Sequence, residues 1–194
     1  MYSHFPLLSV LIFWPMLAGI GLLFIKASFP VQYVKKWAIL ASLAELIFCI
    51  PLYQHFDLTT YEMQFRETHA WLPMFDIQYA LGIDGISLAL ILLTALTTFV
   101  VVVASCQLVK KNIAQYMTAF LIAQAMMIGV FSSLDAILFY VFWEAMLIPM
   151  YLSIGIWGDQ QRSRAAVKFF YDDVFRVNFY VDRYFIFTFC HAYV

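Results

Sequence analysis

Charge is what this chain has least of. Asp, Glu, Lys and Arg make up 12% of its 194 residues, about half of the ~25% usual in a water-soluble domain. That shortage excludes an ordinary soluble fold. Neither sign dominates, the net charge being −1, so there is no broad basic field to hold nucleic acid. Cysteine is almost as sparse. Cys49, Cys106 and Cys190 lie far apart, the first two in apolar runs, which excludes a disulfide framework or a zinc site and leaves small buried hydrophobes. His4, His55, His69 and His191 show no metal-ligand spacing either.

What replaces charge is apolar length. Hydrophobic residues reach 64% and aromatics 19%, and they fall into runs long enough to cross a bilayer, which takes ~20 residues of helix. Five spans are predicted, at residues 7–25, 37–53, 86–106, 113–131 and 136–157, so the expected fold is all-α, a multi-pass transmembrane bundle. The first run lacks a basic segment before it and is too long for a cleaved signal, so it is expected to stay as a span. It contains Pro15, Gly19 and Gly21, which membrane helices tolerate and use for close packing.

Between the second and third runs, Gln54 to Leu81 reads as a polar loop with Asp57, Glu62, Arg66, Glu67 and Asp76. Trp71 to Phe75 (WLPMF) reads as an interfacial re-entry. Gly82-Ile83-Asp84-Gly85 is a turn signal in which Asp84 is expected to cap the next helix. Gln124, inside the fourth run, is expected to hydrogen-bond across helices. Ser132 to Asp135 reads as a turn whose capping-box-like spacing starts the fifth span.

Lys and Arg are distributed unevenly. Lys26, Lys35 and Lys36 follow the first span, Lys110 and Lys111 the third, and Arg162, Arg164 and Lys168 the fifth, whereas the opposite connections hold only Arg66. Eight against one puts the N-terminus outside and the basic connections in the cytoplasm or its equivalent.

Two carboxylates interrupt the apolar runs. Glu144 is the one formally charged residue of the fifth run, 22 residues that reach ~33 Å as a helix. An ionised carboxylate at that depth costs several kcal/mol unless it is paired, hydrated or neutral. Pro149 follows five residues later; it has no N–H, so the carbonyl of Ala145 loses its helical donor beside the glutamate. A free carbonyl and a carboxyl at one depth can hold water, and a proton or cation relay is favoured over a paired structural glutamate or one facing a polar bundle interior because intramembrane carboxylates are scarce and expensive. Glu45, in the second run among Ala41, Ser42, Ala44 and Cys49, reads as a structural or lipid-edge residue, its small neighbours allowing it to face another helix.

Three stretches carry a resemblance: GIDGIS at 82–87, SLDAILFYVFWEAMLIPMYLSIGIWG at 133–158 and SRAAVKFF at 163–170. They resemble the subunit M family of NADH-quinone oxidoreductase, the bacterial counterpart of mitochondrial complex I chain 4, over residues 1–170. The resemblance implies inverted repeats of helices similar to half-channels of a cation/proton antiporter. It implies that Glu144 is the family's essential proton-translocating glutamate, paired with a lysine on a seventh helix. It implies that NADH, flavin, iron–sulfur clusters and quinone are handled by other subunits, with no cofactor or metal held here. The implied partners are the antiporter-like L and N subunits, the lipid bilayer and protons. The implied location is the bacterial inner membrane, N-terminus periplasmic, rather than the mitochondrial one. Related alternatives are an Mrp-type cation/proton antiporter subunit and a membrane-bound hydrogenase subunit. From 171 to 194 the texture changes: Asp172, Asp173, Arg176, Asp182 and Arg183 interrupt an aromatic-rich stretch that does not read as a span. This tail is expected to be foreign to the family, as a frameshift or truncation would make it, and the corresponding alternative is an inert membrane fragment.

Overall fold

The computed structural model describes residues 6–28, 30–60, 62–72, 77–109 and 111–173. Five long helices form in chain order: α1 (Leu7–Ser28), α2 (Val31–Gln54), α3 (Gly85–Leu108), α4 (Ile113–Ser132) and α5 (Ala136–Trp157). All five are long and apolar enough to cross a membrane. The fifth has the bounds expected from sequence, and the others are longer. α2 starts at Val31 rather than 37, so Lys35 and Lys36 belong to its first turns instead of a loop. The Lys35 ammonium donates to the carbonyl of Cys106, 2.7 Å away, near the end of α3, where unsatisfied helix carbonyls favour a cation.

The expected polar loop between α2 and α3 is instead largely an antiparallel hairpin of β1 (Gln64–Leu72) and β2 (Ile77–Ile83). Its charges masked a period of two. Ile77, Leu81 and Ile83 are buried against the helices, an alternation that only a strand can present to one side. The expected turn at 82–85 shrinks to Asp84 alone, since Gly82 and Ile83 complete β2 and Gly85 begins α3. Trp71 and Leu72 end β1 as exposed residues rather than beginning a re-entrant segment; residues 73–76 lie outside the described ones. Phe65 takes a φ of 52° at the register shift between Gln64 and Glu67, the backbone signature of a bulge.

The hairpin is bonded to the helices it covers. The Glu67 carboxylate accepts from the backbone N–H of Leu8 at 2.8 Å and of Ser9 at 3.1 Å, and from the Ser9 hydroxyl. These are first-turn donors of α1 that have no partner inside the helix. Tyr79 of β2 meets the same hydroxyl at 3.1 Å, and burial pushes its phenol above the ordinary value. Replacing Glu67 by alanine should therefore cost about 1–2 kcal/mol, the scale of a lost helix cap, and lower the thermal midpoint; Glu67→Gln should recover part of it.

Asp84 caps α3 as expected, its Oδ1 accepting from Ser87 N–H at 2.7 Å. The bond holds the carboxyl below its ordinary value. A depressed carboxyl contributes stability that is full above its unfolded value and is lost as pH falls through its folded one. The thermal midpoint should thus fall as the pH drops below about 4, and Asp84→Asn should flatten that limb while leaving neutral pH nearly unchanged. An unaltered acid limb in the variant would remove Asp84 from the account.

Buried side chains of α1 to α5 and the hairpin form two apolar clusters. One, at the hairpin end, contains Leu8, Ile12, Cys49, Ile83, Ile91, Ala125 and Phe142. The other, at the basic end, contains Ala18, Leu22, Ala38, Val102, Met117 and Leu121. α1 packs on both α2 and α4. Trp14 donates to Ala41 O at 3.1 Å and Trp37 to Ala18 O at 3.2 Å. The hydroxyl of Thr118 reaches Gly19 O at 2.9 Å, where a Cβ on Gly19 would stand 3.3 Å from Thr118 O.

Residues 1–149 and 150–194 are separate packing units. In the second, Gly158 and Asp159 stop α5 as expected, and the chain resumes a helix at 162–173. Arg162 donates to Ile156 O at 3.1 Å, and Tyr151 and Phe170 stack edge to face at 5.7 Å. The rest of the tail, 174–194, lies outside the described residues, as does Cys190.

Candidate functional site

The helix that carries Glu144 is fixed at its start by three kinds of contact. Asp135 Oδ1 accepts from Ile137 N–H at 2.8 Å and Leu138 N–H at 3.1 Å, so Asp135 itself caps α5. The expected capping role of Ser132 is not realised: Ser132 is the last residue of α4 and its hydroxyl turns back to Ile128 O at 2.7 Å. Strand β2 continues into this corner, with Leu134 N–H donating to Ala80 O at 2.9 Å and Leu81 bridging Ser133. One turn above, α4 and α5 approach so closely that a Cβ on Gly129 would stand 2.6 Å from the Phe142 ring. Sequence reading missed Gly129, although a lone glycine in an apolar helix is the usual signal of such an approach.

Two residues past Phe142, Glu144 is half-buried, with Oε1 shut off from the surface. Beside it the indole N–H of Trp143 is buried and makes no hydrogen bond. Leu147 and Pro149 are buried further along, while Val141 and Ile148 face outward. The carboxyl thus sits on a helix that turns apolar Val141 and Ile148 outward and is capped by Asp135 at the hairpin end.

Glu45 is not at a lipid edge but faces the other helices, the arrangement its small neighbours allow. It is fully buried among the helices, and neither carboxylate oxygen has a hydrogen-bond partner. Gln124 is equally buried, and its amide makes none of the interhelical bonds expected of it. Among the described residues no three His, Cys, Asp or Glu side chains gather as metal ligands.

Comparison with known proteins gives this architecture relatives. The family described as NADH-ubiquinone oxidoreductase chain 4, amino terminus, matches residues 7–133, and the family described as NADH:quinone oxidoreductase/Mrp antiporter, TM, matches 133–177. NADH-quinone oxidoreductase subunit M of Rickettsia conorii is 37% identical over 97% of this chain and 39% of its own length. NADH-ubiquinone oxidoreductase chain 4 of Arabidopsis thaliana is 41% identical over 84% of this chain and 33% of its own. In fold, a chain of respiratory complex I from Thermus thermophilus with bound NADH superimposes with a TM-score of 0.68 at 24% identity, over 82% of this chain and 31% of that one. The chain spans about a third to two-fifths of the length of these relatives. Length, apolarity and kinship together make it a multi-pass membrane protein, and it belongs to the NADH-quinone oxidoreductase subunit M and NADH-ubiquinone oxidoreductase chain 4 family.

Proposed function

We propose that this chain contributes the first half-channel of a proton-translocating subunit of NADH:quinone oxidoreductase, with Glu144 as the group that takes up and releases the proton. The observation that carries the reading is the one charged residue of an apolar span, with one carboxyl oxygen enclosed and its helix held by Asp135 and by the Gly129–Phe142 contact. A cation drawing near favours the ionised carboxyl and one moving away favours the protonated form, so a moving lysine loads and unloads it. NADH, flavin, iron–sulfur clusters and quinone belong to partner subunits, electrons pass there, and this chain performs no redox step itself. L- and N-type antiporter-like subunits are its membrane neighbours. The membrane is the bacterial inner membrane, with Lys35, Lys111 and Arg162 on the cytoplasmic side and the hairpin in the periplasm.

A second reading, an Mrp-type antiporter subunit, is favoured by the description of the family matched at 133–177. Membrane vesicles containing the assembled complex separate the two. NADH should drive acidification of inverted vesicles, sensitive to uncoupler. A gradient indifferent to NADH but collapsed by added sodium would replace the first reading with the second.

A further inference from the structure

The two apolar clusters do not meet. On α2 the buried positions pass from Ala38 and Ala41 of one to Cys49 and Leu52 of the other, with Glu45 between. On α4 they pass from Leu121 to Ala125, with Gln124 between, and on α3 from Ala95 to Val102, with Thr98 between. On α1 they pass from Ile12 to Ala18, with buried Pro15 between. Pro15 has no N–H, so the carbonyl of Leu11 lacks its helical donor at this same level. Four antiparallel helices therefore place a carboxyl, a carboxamide, a hydroxyl and a carbonyl without its helical donor in one layer.

Glu45 and Gln124 are each 0% exposed, and all four of their side-chain polar atoms are without hydrogen bonds to the protein. Buried polar atoms left so are expensive, and side chains as polar as these are normally completed by ordered water. Among the described residues no cation bonds the carboxylate. α3 and α4 carry no charged residue, α1 has only Lys26 near its end, and on α2 Lys35 is committed to Cys106 O while Lys36 is exposed in the first turns. Cys49, one turn along α2, is the other titratable group on this face.

We propose that Glu45, Gln124 and Thr98, with the Leu11 carbonyl, form an internal water site in which Glu45 holds an exchangeable proton, separate from Glu144. Its ligands are water and a proton. Gln124 donates to and accepts from that water, and Thr98 adds a hydroxyl. The proposal rests on the packing of α1 to α4 and stands or falls independently of pumping through Glu144.

Infrared difference spectra of the assembled complex, native minus Glu45→Gln, isolate the carboxyl stretch of Glu45. The expected band is that of a protonated carboxyl hydrogen-bonded to water. It should shift promptly in heavy water, and it should move again in Gln124→Leu. A band of a carboxyl with no hydrogen bond, unmoved by heavy water and by Gln124→Leu, would mean a dry layer and overturn the site. A pair of ionised carboxylate bands would overturn the proton. If the Glu45→Gln complex fails to assemble, native minus Thr98→Val replaces it, with a shifted carboxyl band expected and a flat difference spectrum counting against the site.

Discussion

Replacing Glu144 by glutamine in the full-length subunit should leave NADH oxidation running while removing proton translocation through this half-channel. Glutamine keeps the shape and the hydrogen-bonding capacity of the side chain and loses only the ability to give up a proton. A positioned proton-transfer group contributes on the order of 10²-fold or more to such a step, so the translocation rate should drop by that scale. Glu144→Asp, which keeps the acid but withdraws it by one methylene, should retain a measurable part. The measurement is the proton-to-electron ratio in vesicles with the assembled complex. A native ratio in Glu144→Gln would end the role assigned to this residue, whatever the fate of the fold.

Gly129→Ala should do damage out of proportion to one methyl group. The added Cβ would stand 2.6, 2.6 and 2.8 Å from three Phe142 ring atoms, distances that real contacts do not tolerate. α4 and α5 must separate, at about 1–3 kcal/mol for such overpacking, against the ~1 kcal/mol that alanine returns in helix propensity. Because Glu144 lies two residues from Phe142 on the same helix, the displacement carries the carboxyl with it. The thermal midpoint and the proton-to-electron ratio should both fall. Gly129→Ala combined with Phe142→Leu should recover much of each, since the two sites share one contact and their effects cannot add. Full stability and full pumping in Gly129→Ala alone would show that the approach is not required.

The sequence made the membrane helices readable because length and apolarity act locally. The fifth span was read to its final residue, since Asp135 and Gly158 are local stop signals, and the Asp84 cap was readable for the same reason. The hairpin was not. Its first strand carries Arg66, Glu67 and His69 among nine residues, and only the helices beneath supply the reason for Leu81 and Ile83 to lie inward. Ser132 looked like a cap by spacing, yet an acid three residues on competes better for the same free N–H groups. Glu45 and Gln124 look unrelated along the chain, 79 positions apart by their numbers. They share a layer only because α2 and α4 meet within a bundle in which α1 and α3 each touch both, a topological fact that no local pattern contains.

That topology also sets an order of assembly. Thr118 and Gly19 are joined across 99 positions, so the bundle cannot close while the chain is still being made through its first three helices. During synthesis α2 must enter the lipid before Thr98 and Gln124 exist. For that interval the insertion machinery and the bilayer must accommodate Glu45 unaided, a burden of a few kcal/mol at the centre of a helix. The fourth helix then acts as the keystone: its arrival turns three loosely associated segments into a bundle and takes the acid out of lipid.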